Sequence, residues 1–149
     1  MILLVEAKKG FLVEPSCPVL RLWPVSVKLL FGDEDALPPL SPMWDKRALH
    51  LSDFQAEPLP LAALYLLGER SGEDSAPYLT PVSGTPALMR LISNSWAHYA
   101  DKPAFLASQF DVLTRVSQQI PIRELKAHTD SARLPALCQL LVDDVRSHR

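Results

Sequence analysis

Val19-Leu20-Arg21-Leu22-Trp23-Pro24-Val25-Ser26-Val27-Lys28-Leu29-Leu30-Phe31-Gly32 is the stretch on which the fold turns. Val19 to Trp23 alternates apolar and polar residues, the pattern of a half-buried strand. Trp23 reads as a core residue and Arg21 as a surface one. Pro24 suits the first turn of a helix, where its missing N–H costs nothing. Val25 to Phe31 then continues as a short helix, and Gly32 is placed to end it.

Working outward, Ile2 to Glu6 and Phe11 to Glu14 read as strands joined by a tight hairpin at Lys8-Lys9-Gly10. A chain that enters a strand at once carries the expectation that further sequence precedes Met1. Downstream, Asp33 to Lys46 is rich in proline and acidic at its start, so an irregular loop is expected. Arg47 to Leu51 reads as a short strand. Leu59 to Leu67 is nearly all apolar between Pro58 and Gly68, which fits a strand buried on both faces better than a buried helix segment. Glu69 to Ser75 is turn-like, and Tyr78 to Val82 is a further strand.

From Gly84 the periodicity becomes helical. Thr85 can cap, Pro86 fits the first turn, and Leu88, Ile92, Trp96 and Tyr99 share a face expected to be core. Pro103 opens a second helix, with Leu106, Phe110 and Leu113 on one stripe beside Phe105, Val112 and Val116. Pro121 to Leu125 is a late strand. A last helix starts near Asp130 or Ser131, with Leu134, Leu137, Cys138, Leu141 and Val145 on one face. Strands come first, then helices with one late short strand, which makes the fold class mixed α/β in a single domain of 149 residues.

Composition narrows the function classes. A hydrophobic fraction of 48% supports a real core. Charged residues make up 21%, with a net charge of −2 and no long run of one sign. That balance argues against nucleic-acid coating or polybasic membrane binding. The longest apolar run, Leu59 to Leu67, is too short to span a bilayer. Cys17 and Cys138 lie far apart without metal-ligand spacing, which favours free thiols in a reducing compartment. The expected location is the cytoplasm.

The search for chemistry begins with an absence. A phosphate cradle needs clustered backbone N–H groups, hence glycines, with a lysine at a helix start. None of Gly10, Gly32, Gly68, Gly72 or Gly84 is followed by Gly-Lys-Ser/Thr, and the chain has no GxxxxGK[ST] or GxGxxG. Ser83-Gly84 does not lie in a nucleophile elbow, so Ser83 reads as a turn or cap residue. His50, His98, His128 and His148 have no partner at metal-ligand spacing. Asp33-Glu34-Asp35, Glu73-Asp74 and Asp143-Asp144 read as solvated charge, the last pair on the outer face of the final helix. No residue is singled out as catalytic or as a metal ligand. Asp45-Lys46-Arg47 is the suggestive basic spot, where Lys46 as a point charge and Arg47 as a planar fork could meet phosphate. On residue types alone, an exposed loop edge is the favoured reading.

Five segments, taken in order, carry a resemblance. They are Val19-Leu20-Arg21-Leu22-Trp23-Pro24 with its helix to Phe31-Gly32; Asp45-Lys46-Arg47; Pro60-Leu61 through Tyr65-Leu66-Leu67; Pro103-Ala104-Phe105 followed by Ile120-Pro121-Ile122-Arg123-Glu124-Leu125; and Arg133-Leu134-Pro135-Ala136-Leu137. In that order the chain resembles the C-terminal half of HPr kinase-like serine kinases over almost its whole length. The resemblance implies part of a phosphoenolpyruvate-carboxykinase-like P-loop fold and, for the whole family, ATP, Mg²⁺ and a protein or peptide substrate bearing a serine. Family members carry the phosphate loop, the magnesium ligands and the catalytic acids N-terminal to the matched part. Met1 falls about where the strand after those acids begins. The implied chemistry is transfer of the ATP γ-phosphoryl group to a serine hydroxyl. This chain alone is expected not to catalyse it, nor to bind those cofactors by itself. Only Lys46 and Arg47 carry over as phosphate contacts.

The alternative is a non-catalytic module derived from such a kinase, binding a protein or peptide. Exposed sheet edges would favour a homo-oligomer or pairing with a complementary kinase half. An unrelated small enzyme ranks last. Neither nucleic acid nor membrane is expected as a partner.

Overall fold

A computed structural model describes residues 4–8, 10–95 and 103–147 of the chain. It is a mixed α/β protein, with strands prevailing in the N-terminal half and helices later. Two compact units are formed. The first comprises Met1–Val5 and Val13–Leu59, the second Glu6–Leu12 and Pro60–Arg149. The short strands β1 (Leu4–Glu6) and β2 (Phe11–Val13) flank the expected hairpin, in which the Ala7 N–H donates to the Gly10 carbonyl at 3.0 Å.

In the first unit, β3 (Val19–Leu22) leads directly into α1 (Pro24–Phe31). Proline occupies the first helical position, and the Val27 N–H donates to the Trp23 carbonyl at 3.0 Å. Gly32 closes the helix at φ 86°, a left-handed cap that favours glycine, and its N–H reaches the Lys28 carbonyl at 2.8 Å. Two further strands, β4 (Pro39–Ser41) and β5 (Trp44–His50), complete an antiparallel sheet in the order β3-β5-β4. Val19 faces His50 and Leu22 faces Arg47 across the central pair. Val27 and Ala48 are its buried apolar residues.

The region expected to be an irregular loop up to Lys46 therefore becomes regular at Pro39, and β5 begins at Trp44 rather than Arg47. Proline reads as a breaker because it lacks an N–H. An edge strand such as β4 tolerates it, since that group need not enter the ladder. Trp23 is also corrected. It is not core: its side chain stands at the mouth of α1 with 56% of its surface exposed.

The apolar run from Leu59, where the first unit gives way to the second, is broken. It makes β6 (Leu59–Pro60) and, separately, β7 (Leu64–Leu67). Pro60 contributes no N–H, and the Leu61 N–H donates to the Phe11 carbonyl at 2.8 Å. β7 is not buried on both faces, for its last residue Leu67 is 83% exposed. β8 (Tyr78–Pro81) and β9 (Ile122–Lys126) complete a sheet ordered β7-β9-β8. Central β9 runs parallel to β7 and antiparallel to β8. A parallel pair needs a long crossover, and β8, α2 (Gly84–Ser93) and α3 (Pro103–Gln119) occupy that connection.

Ser83, not Thr85, stands at the N-cap of α2, and Gly84 after it takes φ 63°, a left-handed conformation that favours glycine. Trp96 and Tyr99 lie outside the described residues. Burial on α3 concentrates at its C-terminal end, where Val116 and the following Ile120 are buried, whereas Phe105, Leu106 and Phe110 of the expected stripe are exposed. After β9, the Asp130 carboxylate accepts the Ala132 N–H at 2.9 Å and caps a 3-10 turn over Ser131–Arg133. The turn opens into α4 (Leu134–Arg146). Ile122 and Leu125 of β9 join Phe11, Ala76, Ala87, Leu91, Val116 and Ile120 as the buried apolar residues described in this unit.

Val116 has 0% of its surface exposed. Val116→Ala should lower stability by about 2 kcal/mol through lost burial and a residual cavity. Exposed Val142→Ala should cost under about 0.5 kcal/mol. Urea unfolding of the two variants beside the parent chain checks the contrast.

Candidate interaction site around Lys46

The register that sets Leu22 opposite Arg47 brings Trp23 alongside Lys46. Trp44 lies two residues before Lys46 on β5, hence on the same face of the strand. The Lys46 ammonium sits 4.7 Å from the centroid of the Trp23 ring and 5.9 Å from that of Trp44. Both distances fall within cation–π range. Trp44 is 55% exposed and Met43, in the preceding turn, 88%. Among the described residues Lys46 has no carboxylate partner. Lys46 itself is half-buried, with its ammonium set against two rings that are each more than half exposed.

Arg47 is on the other side of β5 and is differently placed. Its guanidinium Nη2 donates to Asp35 Oδ1 at 2.7 Å, and Nη1 donates to the Asp45 carbonyl at 3.0 Å. Its Nε is enclosed, without an acceptor among the described residues. The planar fork is thus turned inward, onto the acidic loop that leads to β4. To meet a phosphate, Arg47 would have to leave Asp35. Of the two cations singled out from the sequence, Lys46 alone is presented without a counter-charge. The aromatic neighbours that define its setting were missed, because Trp23 was expected in the core.

A second cluster lies in the second unit. Asp144 was expected among solvated charges, yet its side chain is only 13% exposed. Arg123 Nε donates to it at 2.7 Å, and the Tyr65 hydroxyl donates to its Oδ2 at 2.7 Å. The sequence held a signal for this. Asp144 follows Leu137 by seven residues and Leu141 by three, which places it on the inward stripe of α4 rather than the outward face. Burial, the hydrogen bond to Asp144 and that carboxylate's charge push the Tyr65 phenol up from 10.0 to about 12, against the opposing charge of Arg123. A phenol held neutral in this way is a donor, not a base. The cluster fastens a helix to a sheet.

Several of the remaining polar candidates have protein partners. Asp33 accepts the Asp35 N–H at 3.1 Å, and Asp74 pairs with Arg133 at 3.2 Å. His128 Nδ1 accepts the Asp130 N–H at 2.8 Å within a turn. His98 and His148 lie outside the described residues. Ser83 holds the N-cap position of α2 without a hydroxyl hydrogen bond to the helix. Cys17 and Cys138 are free and exposed. Among the described residues no three histidine, cysteine or carboxylate side chains converge as a metal site, and no helix is long and apolar enough to cross a membrane. No family model, curated protein or solved structure matches this chain.

The folded-state phenol of Tyr65 titrates above its unfolded value, so the stability it contributes is complete below about pH 10 and is lost as pH rises through about 12. Tyr65→Phe should cost about 1 kcal/mol at neutral pH. The difference between the two proteins should shrink above about pH 10. Denaturant midpoints of both chains, followed across that range, give the answer. Asp35→Asn should cost under about 1 kcal/mol despite its short ion pair, because the carboxylate is largely exposed. A thermal melt of that variant tests this.

Proposed function

We propose that this chain is the C-terminal portion of an HPr kinase-like ATP-dependent serine kinase and does not catalyse phosphoryl transfer alone. The reading assigns it part of a phosphoenolpyruvate-carboxykinase-like P-loop fold, acting in the cytoplasm on a protein or peptide that bears a serine. The observation that carries it is the ordered set of five segments, each of which supplies a regular element or the start of one. Arg21-Leu22-Trp23-Pro24 joins β3 to α1, and Asp45-Lys46-Arg47 lies within β5. Tyr65-Leu66-Leu67 lies within β7, Ile122 to Leu125 within β9, and Arg133-Leu134-Pro135 joins the 3-10 turn to α4.

The residues in hand do not fit a nucleotide–magnesium site. The sequence lacks a glycine loop for the phosphates, Arg47 is engaged by Asp35, and the described acidic side chains do not converge. ATP, Mg²⁺ and the base that activates the serine are therefore assigned to residues outside this chain. Titration of ATP·Mg²⁺ into the purified chain should show no binding tighter than about 1 mM. A micromolar isotherm by calorimetry would sink the proposal that the nucleotide site lies elsewhere.

A second reading, a non-catalytic module that pairs with another chain, is favoured by β7. This strand is at one edge of its sheet, with β9 on the inner side. A strand at the edge of its sheet, here ending in an exposed leucine, is a template for β-pairing with a second copy or with a complementary kinase half. The chain should then associate as its concentration rises, and Leu67→Lys should suppress the association. Sedimentation velocity that shows a monomer at every concentration would rule out the self-pairing.

A further inference from the structure

We infer that the Trp23–Lys46–Trp44 surface of the first unit is a docking site for an acidic, apolar peptide segment. One carboxylate of the segment meets Lys46, and apolar side chains beside that carboxylate cover the two indole rings. The inference does not depend on the kinase reading, since it uses only the face of β5 and the start of α1.

The first argument concerns the rings. Two tryptophans flank one ammonium, each more than half exposed, and Met43 in the adjoining turn is 88% exposed. Trp is a leading anchor of protein interfaces, and Met is enriched there. A cation–π contact at an exposed site contributes only about 0.5–1 kcal/mol. That gain alone gives little reason to leave two indoles in water. Covering them with apolar groups does.

Charge complementarity decides the partner's chemistry. The ammonium of Lys46 is balanced by ring faces rather than by a carboxylate. The neighbouring guanidinium is already neutralised by Asp35. One uncompensated point charge matches one carboxylate. A phosphate dianion would be left half-neutralised, because the fork that grips phosphate bidentately is occupied. A nucleic acid binds by neutralising many phosphates, and here it would find one uncompensated cation on a chain with net charge −2. Apolar surface on both sides of the cation, from Trp23 to Trp44 and Met43, is more than a lone small carboxylate would cover, so the occupant is a peptide segment.

The test uses the full chain and two fluorescein-labelled peptides. In one, a single Glu is flanked by Leu and Phe; in the other, Gln replaces that Glu. Fluorescence anisotropy should show the acidic peptide binding roughly tenfold tighter, with a change in tryptophan emission. Lys46→Glu should reverse that preference. Lys46→Met, which keeps the apolar stem, should bring the two peptides to equal affinity. Trp23→Ala and Trp44→Ala should weaken both, with circular dichroism confirming that each variant is folded. Equal binding of the two peptides by the parent chain overturns the inference. So does unchanged binding by folded Lys46→Glu, or tighter binding of oligothymidylate or phosphatidylserine vesicles than of the acidic peptide. Self-association that Trp23→Ala abolishes would also overturn it, by showing a second copy to be the occupant.

Discussion

In the second unit, α4 is held to the sheet through the carboxylate of Asp144. It receives Arg123 from β9 and Tyr65 from β7, so one helical side chain bridges two neighbouring parallel strands. A carboxylate with so little exposure is costly unless donors surround it, and loss of either partner would leave a poorly solvated charge. The next residue on β9 does the corresponding job on the other side. Glu124 alternates to the opposite face and takes Arg90 of α2 in a short ion pair. Gly68 leaves room for it: a Cβ there would stand 2.6 Å from Glu124 Oε1. Two successive residues of the central strand thus anchor α4 and α2.

The first unit relies on less. Its helix is set by a proline at one end and a left-handed glycine at the other, and its interior rests chiefly on Val27 and Ala48. Apolar side chains that such a small interior cannot take up remain on its surface, Trp23, Trp44 and Met43 among them. Small domains bury a smaller share of their surface than large ones. What distinguishes this patch from incidental exposure is the ammonium held between two rings.

These two regions divide the chain's chemistry. Asp144, Arg123 and Tyr65 form a satisfied cluster, and satisfied clusters position elements rather than react. Lys46 keeps its charge without a carboxylate, and so is available to a partner.

Much of the secondary structure was legible because it depends on near neighbours. Pro24 and Gly32 bracket α1, alternation marks β3, and Asp130 marks the turn before α4, all through interactions within a few residues. The missing phosphate loop was equally plain, since such a loop is a contiguous motif. Other features depend on pairings across tens of residues, which no local pattern encodes. β4 exists because β5 offers it an edge that tolerates proline. Trp23 meets Lys46 because the sheet register sets them side by side. Arg47 turns inward because Asp35 lies within 2.7 Å of it. Composition and spacing established which residues were present; sheet register and helix docking decided which of them met one another and which were left facing solvent.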